Sequence, residues 1–83
     1  MHSTTASRIR SVSINIRKIR EYRNYTQEYL ALKLGITQNA YSKIELAYTK
    51  ITLDRLFQIA EILEVDIEVI LNKNSDEIIL LNR

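Results

Sequence analysis

Apolar residues recur along most of the chain at three- and four-residue intervals, the spacing that lines them up on one face of an α-helix. Five helical segments can be read this way. In the first, Val12, Ile16 and Ile19 form one stripe behind Ser11 or Ser13 as the capping residue, and the pattern frays near Arg23 and Asn24. The second starts at Thr26, whose hydroxyl can accept from the backbone N–H of Tyr29, and buries Leu30, Ala31 and Leu34. Thr37 caps the third, with Tyr41 and Ile44 facing inward. Thr52 opens the fourth, where Leu53, Leu56, Ile59, Ala60 and Leu63 make a helical stripe. Asp66 caps a short fifth segment carrying Ile67, Ile70 and Leu71.

The punctuation between these segments is unusual. The chain has no proline, and Gly35 is its only glycine, so caps rather than breakers must separate the helices. Gly35 falls where a left-handed residue ends the second segment. The organisation expected is a flexible N-terminal tail over 1–12, one all-α domain over 13–72, and a short apolar C-terminal extension over 73–83. That extension holds Ile78-Ile79-Leu80-Leu81, which either adds to the helical core or pairs, as strand or helix, with a second subunit; the dimer role is favoured.

Composition narrows the chemistry. Eighty-three residues suffice for one domain, and 46% apolar content suits a packed core. There is no cysteine, and the one histidine, His2, lies in the expected tail. No disulfide framework or thiolate zinc site is therefore possible, and neither metal nor cofactor is expected. A Gly-rich phosphate loop and a pair of carboxylates in a cleft are also missing from the pattern, which argues against an enzyme. No apolar run approaches the roughly 20 residues that span a bilayer. The stretch Met1 to Ser13 has no apolar signal core, so a cytoplasmic location is expected.

Charge is divided between the two halves. Residues 1–50 carry nine Lys/Arg against three acids, a balance of +6, and residues 51–83 carry three against seven, a balance of −4. A basic half turned toward a polyanion is the footprint of a nucleic-acid binder.

The chemistry concentrates in Gln27 to Leu46, QEYLALKLGITQNAYSKIEL. Two short helices meet there across a three- to four-residue turn centred on Gly35, with Ala31 small enough to let them cross closely. Facing outward on the second helix of the pair are Gln38, Asn39, Ser42 and Lys43, side chains suited to base edges. Alone, such a face is merely solvated; after the two-helix pattern, base contact is the better reading. Arg17, Lys18 and Arg23 read as solvated charges. Tyr41 reads as core, and Tyr22, Tyr25, Tyr29 and Tyr48 as surface or rim residues rather than a stacking platform for single strands.

From about Ile14 to Leu71 the chain resembles the helix-turn-helix domains of the phage repressor and Cro class, the xenobiotic response element (XRE) family. The matching residues are Ile16-Arg17-Lys18-Ile19-Arg20, Tyr25 through Ala31, Leu34 through Gln38, Tyr41 through Glu45 and Leu56 through Val65. The resemblance implies a five-helix, lambda-repressor-like fold and a transcriptional regulator, a repressor, that binds double-stranded DNA as a homodimer. It implies base contacts from Gln38, Asn39, Ser42 and Lys43, and phosphate contacts from Gln27, Thr37, Tyr48, Thr49 and Lys50. It also implies an ion pair, Arg20 with Glu45, that orients the recognition helix over about 38–46. One departure stands out: after Glu45 the family usually has a polar residue and glycine, whereas Leu46 and Ala47 follow here. Either Ala47 makes the left-handed turn or the third helix runs longer. The competing function is a protein-binding module, an antitoxin that neutralises a toxin and also binds its own promoter, with Ile78–Leu81 as the sticky surface.

Overall fold

Each threonine expected to open a helix does so by the same local bond. In the structure, a computed structural model that describes residues 4–72, the Thr26 hydroxyl accepts from Tyr29 N at 3.0 Å, Thr37 from Ala40 N at 3.1 Å and Thr52 from Arg55 N at 3.2 Å. Each satisfies one of the N–H groups that a first turn leaves without a helical partner. The described residues form five helices and no strand: α1 (Thr5–Tyr22), α2 (Gln27–Leu34), α3 (Gln38–Glu45), α4 (Leu53–Leu63) and α5 (Ile67–Asn72).

The C-termini share a device too. After α1, α2, α3 and α4 one residue turns left-handed: Asn24 (φ 62°), Gly35 (φ 72°), Ala47 (φ 60°) and Glu64 (φ 60°). At each, paired backbone bonds reach back into the last turn, as from Ala47 N to the Ile44 carbonyl (3.1 Å) and Tyr48 N to the Lys43 carbonyl (2.9 Å). The question left open at Leu46–Ala47 is thereby resolved: Ala47 takes the left-handed conformation itself, and α3 stops at Glu45 instead of running longer. Two helix ends receive an arginine as well. Arg23 donates to the carbonyls of Leu63 (2.8 Å) and Glu64 (3.2 Å) at the end of α4, and Arg55 to the Leu34 carbonyl (3.3 Å) at the end of α2. Arg23 is thus not the solvated charge its position in the sequence suggested.

Two further expectations need correcting. The first helix begins at Thr5, where the Thr4 hydroxyl accepts from Ser7 N (3.1 Å), and not behind Ser11 or Ser13, so residues 5–12 are helical rather than tail. Ser13 is instead buried in the middle of α1, and its hydroxyl meets no partner among the described residues. Leu53, placed in the α4 stripe, is exposed: the buried face of α4 starts at Leu56 and runs through Ile59, Ala60 and Leu63. His2 and the extension over 73–83, with its expected dimer role, lie outside the described residues.

Ile16, Ile19, Leu30, Tyr41, Ile59, Leu63 and Ile70 are almost wholly excluded from solvent, and all five helices contribute to this core. α5 is fastened to α1 from inside: the Asn15 amide donates to the Ile70 carbonyl at 2.8 Å. α2 and α3 pack against each other most extensively, and Ala31 of α2 is buried.

Candidate nucleic-acid interface

α3 has two chemically distinct sides. Tyr41 and Ile44 point into the core and fix the rotation of the helix about its axis. That rotation leaves Gln38, Asn39 and Lys43 exposed and Ser42 half-buried, which is the outward set the sequence pattern identifies. The Thr37 cap holds the start of the helix, and the left-handed Ala47 holds its end.

Beneath this face sits a carboxylate with four donated bonds. Glu45, buried, receives Arg20 Nε on Oε2 (2.6 Å) and Arg20 Nη2 on Oε1 (3.1 Å). The Tyr41 hydroxyl donates to Oε2 (2.5 Å) and the Gln27 amide to Oε1 (3.0 Å). Arg20 spends its remaining terminal nitrogen on the Tyr25 carbonyl at 2.8 Å. The ion pair expected from the resemblance is therefore present; it is forked, and it is widened into a cluster that ties α1, α2 and α3 together. Burial alone would raise the Glu45 carboxyl, but the bonds from Arg20, Tyr41 and Gln27 outweigh it and hold the group below its ordinary range. Arg20 is pushed up chiefly by its bond to Glu45, against the opposing effect of burial. Burial, and then the bond to Glu45, push the Tyr41 hydroxyl far up, so it remains a donor.

The structure gathers some of the expected contact residues and separates others. Thr37, Asn39, Lys43, Thr49 and Lys50 line one cleft of about 470 Å³ between α3 and the segment leading to α4. Gln38 and Ser42 are not part of that lining. Tyr48, exposed, borders a second depression with Thr49 and Lys50, walled on the other side by Ala6, Ile9 and Arg10 of α1. Gln27 sits at the start of α2, where the resemblance puts a phosphate clamp; one N–H of its amide is committed to Glu45.

Three participants were not singled out from the sequence. The sequence pattern marks Tyr41 as core, and its hydroxyl belongs to the Glu45 cluster; its place four residues before Glu45, on the same helix face, is the signal for that bond. Arg10 reaches the segment after α3 because α1 starts early. Arg55 lines the main cleft from α4, in the acidic half, with no local pattern to mark it. Among the described residues no group of His, Cys, Asp and Glu could hold a metal ion, and no helix is long and apolar enough to cross a membrane.

Residues 16–70 match the helix-turn-helix family. The chain is 37% identical over 65 residues to an uncharacterized HTH-type transcriptional regulator, YqaE, of Bacillus subtilis (strain 168); the match covers 78% of this chain and 56% of that protein. This chain thus spans little more than half the length of that relative. No solved structure matches the chain.

Proposed function

The chain belongs to the helix-turn-helix family, and from that premise we propose that it is a sequence-specific regulator of transcription, a repressor that binds double-stranded DNA as a homodimer. The observation that carries this reading is the two-sided α3: an outward face of Gln38, Asn39, Ser42 and Lys43 on a helix whose rotation is fixed by Tyr41, Ile44 and the Glu45 cluster. A base-reading side chain needs such rigid support, because a bidentate contact discriminates only when donor and acceptor are already aligned. In the proposed complex, Gln38 bonds adenine N6 and N7, and Lys43 donates to guanine O6 or N7. Asn39 and Ser42 read neighbouring bases. Gln27, Thr37, Tyr48, Thr49 and Lys50 take backbone phosphates.

Support for a regulatory role comes from the name of the B. subtilis relative, and support for the dimer from Leu46, Leu53 and Phe57, large apolar side chains left half-exposed or more. Two chains related by a two-fold axis would meet half-sites about one helical turn, roughly 34 Å, apart. Light scattering on the protein mixed with a duplex recovered by selection tests this. Two chains on one duplex is the expected mass; one chain on a duplex with a single half-site contradicts the dimer.

A further inference from the structure

Among the described residues, the main cleft is walled by three cations, Lys43, Lys50 and Arg55, along with Thr37, Asn39 and Thr52, and by no carboxylate. Of the three cations, Arg55 has its position fixed by the fold. Its Nη1 donates both to the Leu34 carbonyl (3.3 Å) and to Gln58 Oε1 (3.2 Å), so the guanidinium is held half-buried against the cleft wall. Those bonds occupy one nitrogen, and among the described residues Nε and Nη2 meet no acceptor. A guanidinium offers its N–H groups as a rigid planar fork matched to two oxygens of a phosphate, and a fork already immobilised loses little freedom when it binds.

The geometry points to Arg55 as a phosphate-binding residue: the Nε and Nη2 edge of Arg55, with Lys50 beside it, receives one phosphate of the DNA backbone as α3 enters the groove. The assignment rests on the reading of α3 as the DNA-binding element and adds a contact from α4. It also gives a cation of the acidic half a role in holding a polyanion.

The test is the salt dependence of binding, for wild-type, Arg55→Gln and Arg55→Lys, on a selected duplex and on a random duplex of equal length. Losing one phosphate contact lowers the slope of log affinity against log salt by about 0.9. Between 50 and 200 mM salt the wild-type should therefore lose about 3.5-fold more affinity than Arg55→Gln. Both duplexes should be weakened by the same factor, and Arg55→Lys should keep the wild-type slope. An Arg55→Gln slope equal to wild-type, with only a lowered melting temperature, would make the residue a cap for α2 and overturn the proposal. Inorganic phosphate alone tests the other source of the same chemistry, by NMR of the arginine side-chain N–H groups. Saturable shifts at Arg55 at sub-millimolar phosphate would mark a small-anion site and overturn the assignment to DNA. If wild-type binds neither duplex, the reading of α3 itself is what fails.

Discussion

Tyr41 and Glu45 stand one helical turn apart on α3, and the hydroxyl of the first donates to the carboxylate of the second at 2.5 Å while Arg20 grips the same carboxylate from α1. The hydrophobic side of α3 thus carries a charge, and that charge is satisfied from three helices. A buried carboxylate stripped of its cation costs far more than one missing a neutral donor, because the uncompensated charge stays in a poorly polarisable interior.

That difference sets an order among variants. Arg20→Ala should destabilise the fold by about 3–5 kcal/mol. Tyr41→Phe, which removes one hydrogen bond to a charged group, should cost about 1.5–3 kcal/mol. Urea denaturation of the two variants checks the ranking, and a Tyr41→Phe loss larger than that of Arg20→Ala would show that the hydroxyl, not the guanidinium, holds the carboxylate.

The same cluster makes stability depend on pH in a definite direction. The folded Glu45 carboxyl titrates below its unfolded value, so the folded state binds fewer protons in that window. Its contribution is complete above the unfolded glutamate pKa of about 4.3 and is lost as the pH falls through the lower folded value. Urea midpoints measured from pH 7 downward should drop more steeply below about pH 4.3 for wild-type than for Glu45→Gln. Parallel curves would mean that Glu45 makes no such contribution.

Among the described residues, three of the four left-handed positions are filled by residues with a side chain. Ala47→Gly and Glu64→Gly should each stabilise the domain by about 0.5–1 kcal/mol, the left-handed penalty less the greater freedom glycine gives the unfolded chain. Gly35→Ala should lose about 1 kcal/mol. A Cβ placed at Gly35 meets no atom within 4 Å, so that loss is conformational and not a clash. Thermal melts of the three variants report all three signs.

Ser13 offers a further gain. Its hydroxyl is buried without a partner among the described residues, a condition that costs about 1–3 kcal/mol relative to an apolar group of similar shape. Ser13→Ala should raise the melting temperature. A fall would reveal a bond made by the hydroxyl in solution.

What could be read from the sequence was local. Thr26, Thr37 and Thr52 announce helix starts because a cap bond spans three residues, and Gly35 announces a left-handed turn because it lacks a Cβ. The outward set on α3 followed from helical period once Tyr41 and Ile44 were taken as inward. The early start of α1 is not legible in the sequence because Ser11 and Ser13 are as good as Thr4 at capping a helix, and only packing reveals that Ser13 lies inside one. Arg23 at the end of α4 and Arg55 at the end of α2 lie 40 and 21 residues from the carbonyls they meet. No short-range pattern encodes bonds of that span. Arg20 and Glu45 were reachable through the family resemblance, which supplied the long-range pairing that spacing alone does not.

The central claim, that α3 reads bases, is tested most directly by selecting bound duplexes from a random library with wild-type and with Lys43→Ala in parallel, at near-physiological salt where non-specific binding is weak. The account predicts a two-fold symmetric motif for wild-type, and the same motif with preference relaxed at one base pair of each half-site for the variant, a loss of about 1–3 kcal/mol of discrimination there. No enriched motif from folded protein, or an identical motif from both proteins, would contradict it.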